Sequence, residues 1–343
     1  MIKVSVIIPI YKVPLEYLRI CLDSLVAQAM LECEFIIVSD GAPDAECSIC
    51  EEATQKDSRF HFFRQEHQGV AAAKQFGLDK ACGQYVTFVD SDDWVEQNYL
   101  NEIYKIAVEN SLEILNWDYR LFPTTSQVKP LLNHSIVLLN EKEKELFLNN
   151  ILINQNFGQS LSSCCTRLYK ASFVKAKKIT FNTELSIGED KAFNYQAYIQ
   201  AERLGYVNKT YYNYRMREDS TVHKFIPNSL PIYLKYITYI SSFCLPQNKD
   251  SLGKEFLNVF FHSLNHSYFP SNKKIVLRES LSNLKKTIVS KDFQQSLNLL
   301  ERQKISLQMQ LYLFCLRKHL LFPIYKKGLV YYIQREISCF FKK

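Results

Sequence analysis

Tyr85-Val86-Thr87-Phe88-Val89-Asp90-Ser91-Asp92-Asp93-Trp94 decides how this 343-residue chain reads. Tyr85 to Val89 is a short aromatic and β-branched run, and acids at 90, 92 and 93 follow it directly. A strand that is apolar along its length is buried on both faces, as in a parallel sheet covered by helices. Such sheets bind ligands beyond the carboxyl ends of their strands, which is where these acids fall. Two carboxylates one residue apart can reach a single hard cation, and Mg²⁺ and Mn²⁺ take oxygen ligands shared with substrate phosphates. The alternative is an acidic turn whose carboxylates cap the next helix.

Working outward, Val4 to Ile10 is a second buried strand. Leu15, Leu18, Leu22, Leu25 and Ala29 follow at helical spacing, the face of a helix lying on a sheet. Glu34 to Ser39 reads as a strand, then a helix runs to about Lys56, then Phe60 to Arg64 as a strand. Gly69 to Ala81 reads as an alanine-rich helix, Glu96 to Glu109 as a helix and Leu112 to Trp117 as a strand. This alternation means βαβ units around a mostly parallel sheet, an α/β fold. Tyr11, Asp40 and Asp90 to Asp93 then share one sheet edge. Beyond 120 the expected elements are helices at Glu141 to Asn154 and Glu189 to Ala201, the latter capped by Gly188. Strands are expected at Arg167 to Lys170, Lys178 to Phe181 and Gly205 to Tyr214. Pro227 and Pro231 mark a boundary near 225, after which helix follows helix. The expected organisation is a catalytic domain over 1–225 and a helical region over 226–343.

Hydrophobic residues make up 47% and charged residues 22%, which excludes a disordered or coiled-coil chain. No apolar run is long enough for a membrane-spanning helix, and Lys12, Glu16, Arg19 and Asp23 interrupt any signal-peptide core. The expected location is cytoplasmic. Ten irregularly spaced cysteines read as reduced, mostly buried thiols. Cys47-Ser48-Ile49-Cys50 has no second pair to complete a zinc site, so it reads as a chance pair on a helix. There is no GxxxxGK[ST] loop and no GxGxxG after the first strand.

Taken together, several segments resemble the family 2 inverting glycosyltransferases, which have the GT-A fold. They are Val4 to Tyr11, Cys21 to Leu25, Val38 to Gly41, Gly69 to Gly77, Tyr85 to Trp94, Arg167 to Tyr169, Gly188 to Phe193 and Tyr212 to Ser220. The resemblance spans about residues 1–222. It implies transfer of one sugar from a UDP-sugar, a hexose or N-acetylhexosamine, with inversion. The implied acceptor is a hydroxyl of a surface oligosaccharide or lipid-linked glycan. It also implies roles. Pro9 and Tyr11 flank the base, with the Tyr11 ring against uracil, and Asp40 accepts from the uracil imide. Asp90, with Ser91 beside it, lies near the ribose and the metal, and Asp92 ligates Mn²⁺ or Mg²⁺ directly. Asp190 is the general base, and Glu189 stabilises the helix or binds the acceptor. Lys74 stands where the family has Arg, at the diphosphate, and His67 stands where it often has Asn, near the base. Arg215, Arg217 and His223 close over the diphosphate or complete the metal shell. The family's Asp-Asp-Gly is here Ser39-Asp40-Gly41, and no Gln-x-x-Arg-Trp follows Asp190, which argues against a processive polymer synthase.

The alternatives are a sugar-phosphate nucleotidyltransferase and a catalytically inactive scaffold that binds nucleotide sugars. The first wants a glycine-rich basic loop after its first strand, which Tyr11 to Leu15 lacks; the intact acids speak against the second. No nucleic-acid motif is present. The net charge of +7 is local: residues 301–343 hold nine Lys or Arg and two Glu, so the first 300 residues are neutral overall. Leu311 to Lys343 interleaves Leu, Phe and Tyr with Lys and Arg. This is either a solvated helix face or a surface that docks on anionic membrane.

Overall fold

Strand β1 (Val4–Ile10) is buried at all seven positions because sheet neighbours flank it on both sides and helices cover it. It pairs in parallel with β2 (Cys33–Asp40) and β4 (Tyr85–Phe88), and β2 pairs in parallel with β3 (Phe60–Gln65). With β5 (Trp94–Val95), β6 (Ile114–Phe122), β7 (Arg167–Lys170) and β8 (Leu204–Arg215), these form one eight-stranded sheet ordered β3-β2-β1-β4-β7-β6-β8-β5. β7 runs antiparallel to β4 and β6, β5 antiparallel to β8, and β6 parallel to β8. The chain is described here from a computed structural model, over residues 1–123, 130, 132–153, 161–216, 226–268, 277–300 and 317–318. It divides into two compact units, Met1–Glu218 and Asp219–Lys343.

The first unit wraps its sheet with α1 (Leu15–Val26), α2 (Asp44–Lys56), α3 (Val70–Lys80), α4 (Tyr99–Glu109), α5 (Glu141–Leu152), α6 (Ala171–Ala176) and α7 (Glu189–Gln200). Helix α3 lies close on β1 because its inner face is small: Ala71, Ala73 and Gly77 are buried, and a Cβ on Gly77 would stand 2.4 Å from Ile7 Cγ2. That close approach also seats Lys74, on the same face, inside the protein. Two register shifts between β6 and β8 lie on either side of Asp118, and beyond them β8 also pairs with β5. In this way the end of β8 reaches the acidic turn after β4.

Several expectations need correction. Leu15 and Ala29 are exposed, and α1 buries Leu18, Cys21, Leu22 and Leu25 instead. Lys178 to Phe181 is not a strand: Ile179 and Phe181 are buried in a loop, with Phe181 stacked on Phe193 at 4.1 Å, so core packing imitated a strand's alternation. β6 continues to Phe122, α4 starts at Tyr99, and β5 and α6 were too short to register. Cys47 and Cys50 are free thiols buried on α2.

In the second unit, α8 (Leu230–Ser241) and α9 (Lys249–Ser263) are followed by a π-turn at Leu264–Tyr268, then α10 (Leu277–Ile288) and α11 (Lys291–Leu297). Pro231 sits in the first turn of α8, where its missing N–H costs nothing. Phe256 and Phe260 of α9 pack edge-on against Phe293 of α11. Among the described residues no helix is long and apolar enough to cross a membrane.

Candidate active site

Three groups of side chains meet at the carboxyl edge of β1, β2 and β4. The first is at the ends of β1 and β2. Pro9 is buried within β1 opposite Val38, and its rigid ring leads the chain to Tyr11, whose ring is partly exposed. Asp40, the last residue of β2, is 2% exposed. Its Oδ1 accepts from Gln65 Nε2 and from the Gln68 N–H, and its Oδ2 accepts from the Gly69 N–H, each at 2.8 Å. Gly41 and Gly69 both take positive φ, which lets the chain turn around this carboxylate. His67 stacks on Tyr11 and brings its Nδ1 to 2.8 Å from Asp40 Oδ2.

The second group is the acidic turn. The Asp93 N–H donates to the Asp90 carbonyl, and Ser91 is buried between the acids. Asp93 is 1% exposed; its Oδ2 accepts from the Tyr212 hydroxyl and its Oδ1 from the Arg215 N–H, both at 2.7 Å. The Tyr212 hydroxyl also receives the Asp90 N–H. The Arg215 guanidinium donates to the Asp92 carbonyl and lies 4.1 Å from the Tyr17 ring centroid and 4.7 Å from that of Trp94. Arg215, at the end of β8, thus braces the acidic turn. Burial pushes the Asp93 carboxyl well up, and the Asp90 and Asp92 charges add to it. Burial likewise raises Asp90; Lys74 pulls it back, while Asp190 and Asp92 push it further.

The third group joins α3 to α7. Gly188, in the left-handed region, opens α7, and Glu189 and Asp190 occupy its first turn. Lys74 Nζ lies 2.6 Å from Asp190 Oδ1 and 3.3 Å from Glu189 Oε1. Burial alone would lower the Lys74 ammonium, but Asp190, Glu189 and Asp90 outweigh it and hold it well above the usual range. Burial raises the Glu189 carboxyl, with Lys74 opposing. Lys74, expected at the diphosphate, is paired with the two α7 acids, the countercharge that a buried ammonium needs. Asp190 Oδ2 also accepts from the Cys164 N–H at 3.0 Å. Arg217 and His223 lie outside the described residues.

Reading the sequence missed Asp93 as a brace, and also Tyr212, Gln65 and Cys164. Asp93 alone carried a signal, as the third acid of the run. Among the described residues no three His, Cys, Asp or Glu side chains converge as a metal cage. Asp90 and Asp92 are hard oxygen donors in one acidic turn, which suits a cation completed by substrate phosphates. A separate cleft of about 450 Å³ opens at the other end of β4, lined by Gly83, Gln84, Val108 and Lys170, and it gathers no acids.

The family described as Glycosyl transferase family 2 matches residues 5–173. Glycosyltransferase GlyA of Streptococcus pneumoniae is 35% identical over 225 residues, 64% of this chain and 31% of GlyA. Putative glycosyltransferase EpsH of Bacillus subtilis is 32% identical over 225 residues, 65% of this chain and 63% of EpsH. The matched stretch therefore spans less than two thirds of either relative. The crystal structure of S. aureus TarS 1-349 superposes with a TM-score of 0.69 at 20% identity, over 93% of this chain and 88% of that one, and shows the same fold. A second structure of that protein, in complex with UDP-GlcNAc, gives a TM-score of 0.68 at 22% identity, again over 93% and 88% of the two chains. Over residues 5–173, the chain is similar to glycosyl transferase family 2.

Proposed function

We propose that the protein transfers one sugar from a UDP-hexose or UDP-N-acetylhexosamine to a hydroxyl of a surface oligosaccharide or lipid-linked glycan, with inversion. The observation that carries this is the meeting of an aromatic platform, an acidic turn and the first turn of α7 at one sheet edge. Tyr11 and Asp40 take the base, and the UDP-GlcNAc bound to the structural relative TarS supports a UDP-sugar donor. Asp90 and Asp92 hold Mn²⁺ or Mg²⁺, which when bound neutralises charge on the departing diphosphate. Asp190 accepts the proton of the acceptor hydroxyl as that oxygen attacks the anomeric carbon. Two of its four or so lone-pair positions are taken by Lys74 and the Cys164 N–H, which fix its rotamer and leave the others for the acceptor. Glu189 shares Lys74 and sets the charge balance beside the base.

The basic stretch 311–343 docks on an anionic membrane surface in this reading, and the protein works at the inner face of the cytoplasmic membrane. Apart from 317 and 318, that stretch lies outside the described residues. A panel of nucleotide sugars with Mn²⁺, scored for slow donor hydrolysis, tests the donor class. UDP release from one or more UDP-sugars is expected; release confined to other nucleotides would overturn it.

A further inference from the structure

The base end of the site is filled from within. The His67 imidazole lies on the Tyr11 ring with centroids 4.1 Å apart and planes 15° from parallel. Its Nδ1 stands 2.8 Å from Asp40 Oδ2 and 3.1 Å from the Asp40 carbonyl oxygen. A flat ring on Tyr11 that turns a ring nitrogen toward Asp40 is also what a pyrimidine with an imide N–H would present. Rings stacked this closely leave no space for a third between them.

Asp40 is equally committed. A carboxylate offers about four lone-pair positions. Two main-chain N–H groups and Gln65 take three, and His67 faces the fourth. Of these four donors His67 is the one that can leave by rotating a side chain that is already 52% exposed. Gly41 packs closely on its backbone: a Cβ there would lie 3.0 Å from His67 Cβ and 3.1 Å from its N.

We infer that His67 is an internal stand-in for the nucleobase. With no donor bound it occupies Tyr11 and Asp40, and it rotates away when a pyrimidine nucleoside diphosphate binds. It therefore sets donor affinity by competition rather than by contact. A ligand that must displace a populated internal conformer binds more weakly by that conformer's population ratio. The inference rests on Tyr11 and Asp40 being the base site.

Calorimetric titration of UDP with Mn²⁺ into the full chain tests it, using wild type, His67→Ala, His67→Asn and Tyr11→Ala. Both His67 variants should bind UDP about 3–10-fold more tightly, since each removes the competing ring. Equal or weaker binding by both overturns the inference. Tyr11→Ala should weaken binding roughly tenfold through the lost stack. Weakened Tyr11→Ala beside unimproved His67 variants overturns the stand-in alone, whereas Tyr11→Ala at wild-type affinity overturns the base-site reading as well.

Discussion

Lys74 carries its charge at 3% side-chain exposure, and that is tolerable only because Asp190 and Glu189 stand beside it. The two acids are in turn tolerable because of Lys74. Lys74→Met should therefore cost about 3–5 kcal/mol, the usual consequence of removing one partner from a buried ion pair. Thermal unfolding checks this, and an unchanged melting temperature would contradict it. Turnover should fall as well, because Asp190 loses the contact that fixes its rotamer. Asp90, Asp92 and Asp190 stand out in the sequence because acids at strand ends and helix starts have few bland explanations in such numbers. Tyr212 does not stand out: its hydroxyl meets Asp93 across 119 positions of chain, brought there by pairing of β8 with β5. The charge of Lys74 is legible in the sequence, but its pairing with Asp190 and Glu189 is not. Its neighbours on α7 are set by how α3 seats on the sheet, not by any local pattern.

At the scale of elements, Arg59 ties the segment after α1 to the start of β3. Its guanidinium donates to the carbonyls of Val26, Gln28 and Met30 and pairs with Asp57 at 2.7 Å. The hydrogen bond from Arg59 holds the Asp57 carboxyl below its usual value. A depressed carboxyl contributes stability that is complete above the unfolded value of 3.8 and is lost as the pH falls through the lower folded value. Asp57→Asn should thus lose about 1.5–3 kcal/mol at neutral pH, in the range for hydrogen bonds to charged groups. In denaturant titrations the gap from wild type should close as the pH drops below that range; a pH-independent gap would contradict the pairing. Strands β1, β2 and β4 were legible because each is built on a short run of apolar and β-branched residues. Lys178 to Phe181 was not, because Ile179 and Phe181 are buried by aromatic packing with no ladder to join. β5 has two residues and offers no periodicity to read.

Over the whole molecule, charge and chemistry are separated along the chain. The acids proposed for catalysis lie within a net-neutral 300 residues, and the +7 lies in 301–343. If those cations and aromatics dock on lipid, each basic residue near the surface contributes about 1 kcal/mol. Deleting 311–343 should release the protein from anionic liposomes in co-sedimentation, whereas unchanged and salt-insensitive binding would reject the membrane role. The class of fold was legible from the alternation of elements, and the family from ordered motifs. The reversed direction of β5 and β7 was not, since strand order and direction are settled by contacts between distant segments. The central claim, that Asp190 is the base of a UDP-sugar transferase, is tested most directly by measuring UDP release and UDP-sugar binding side by side for wild type and Asp190→Asn. The expected result is a loss of turnover of about 10²–10⁴-fold with donor affinity nearly unchanged. Turnover close to wild type in Asp190→Asn would contradict it.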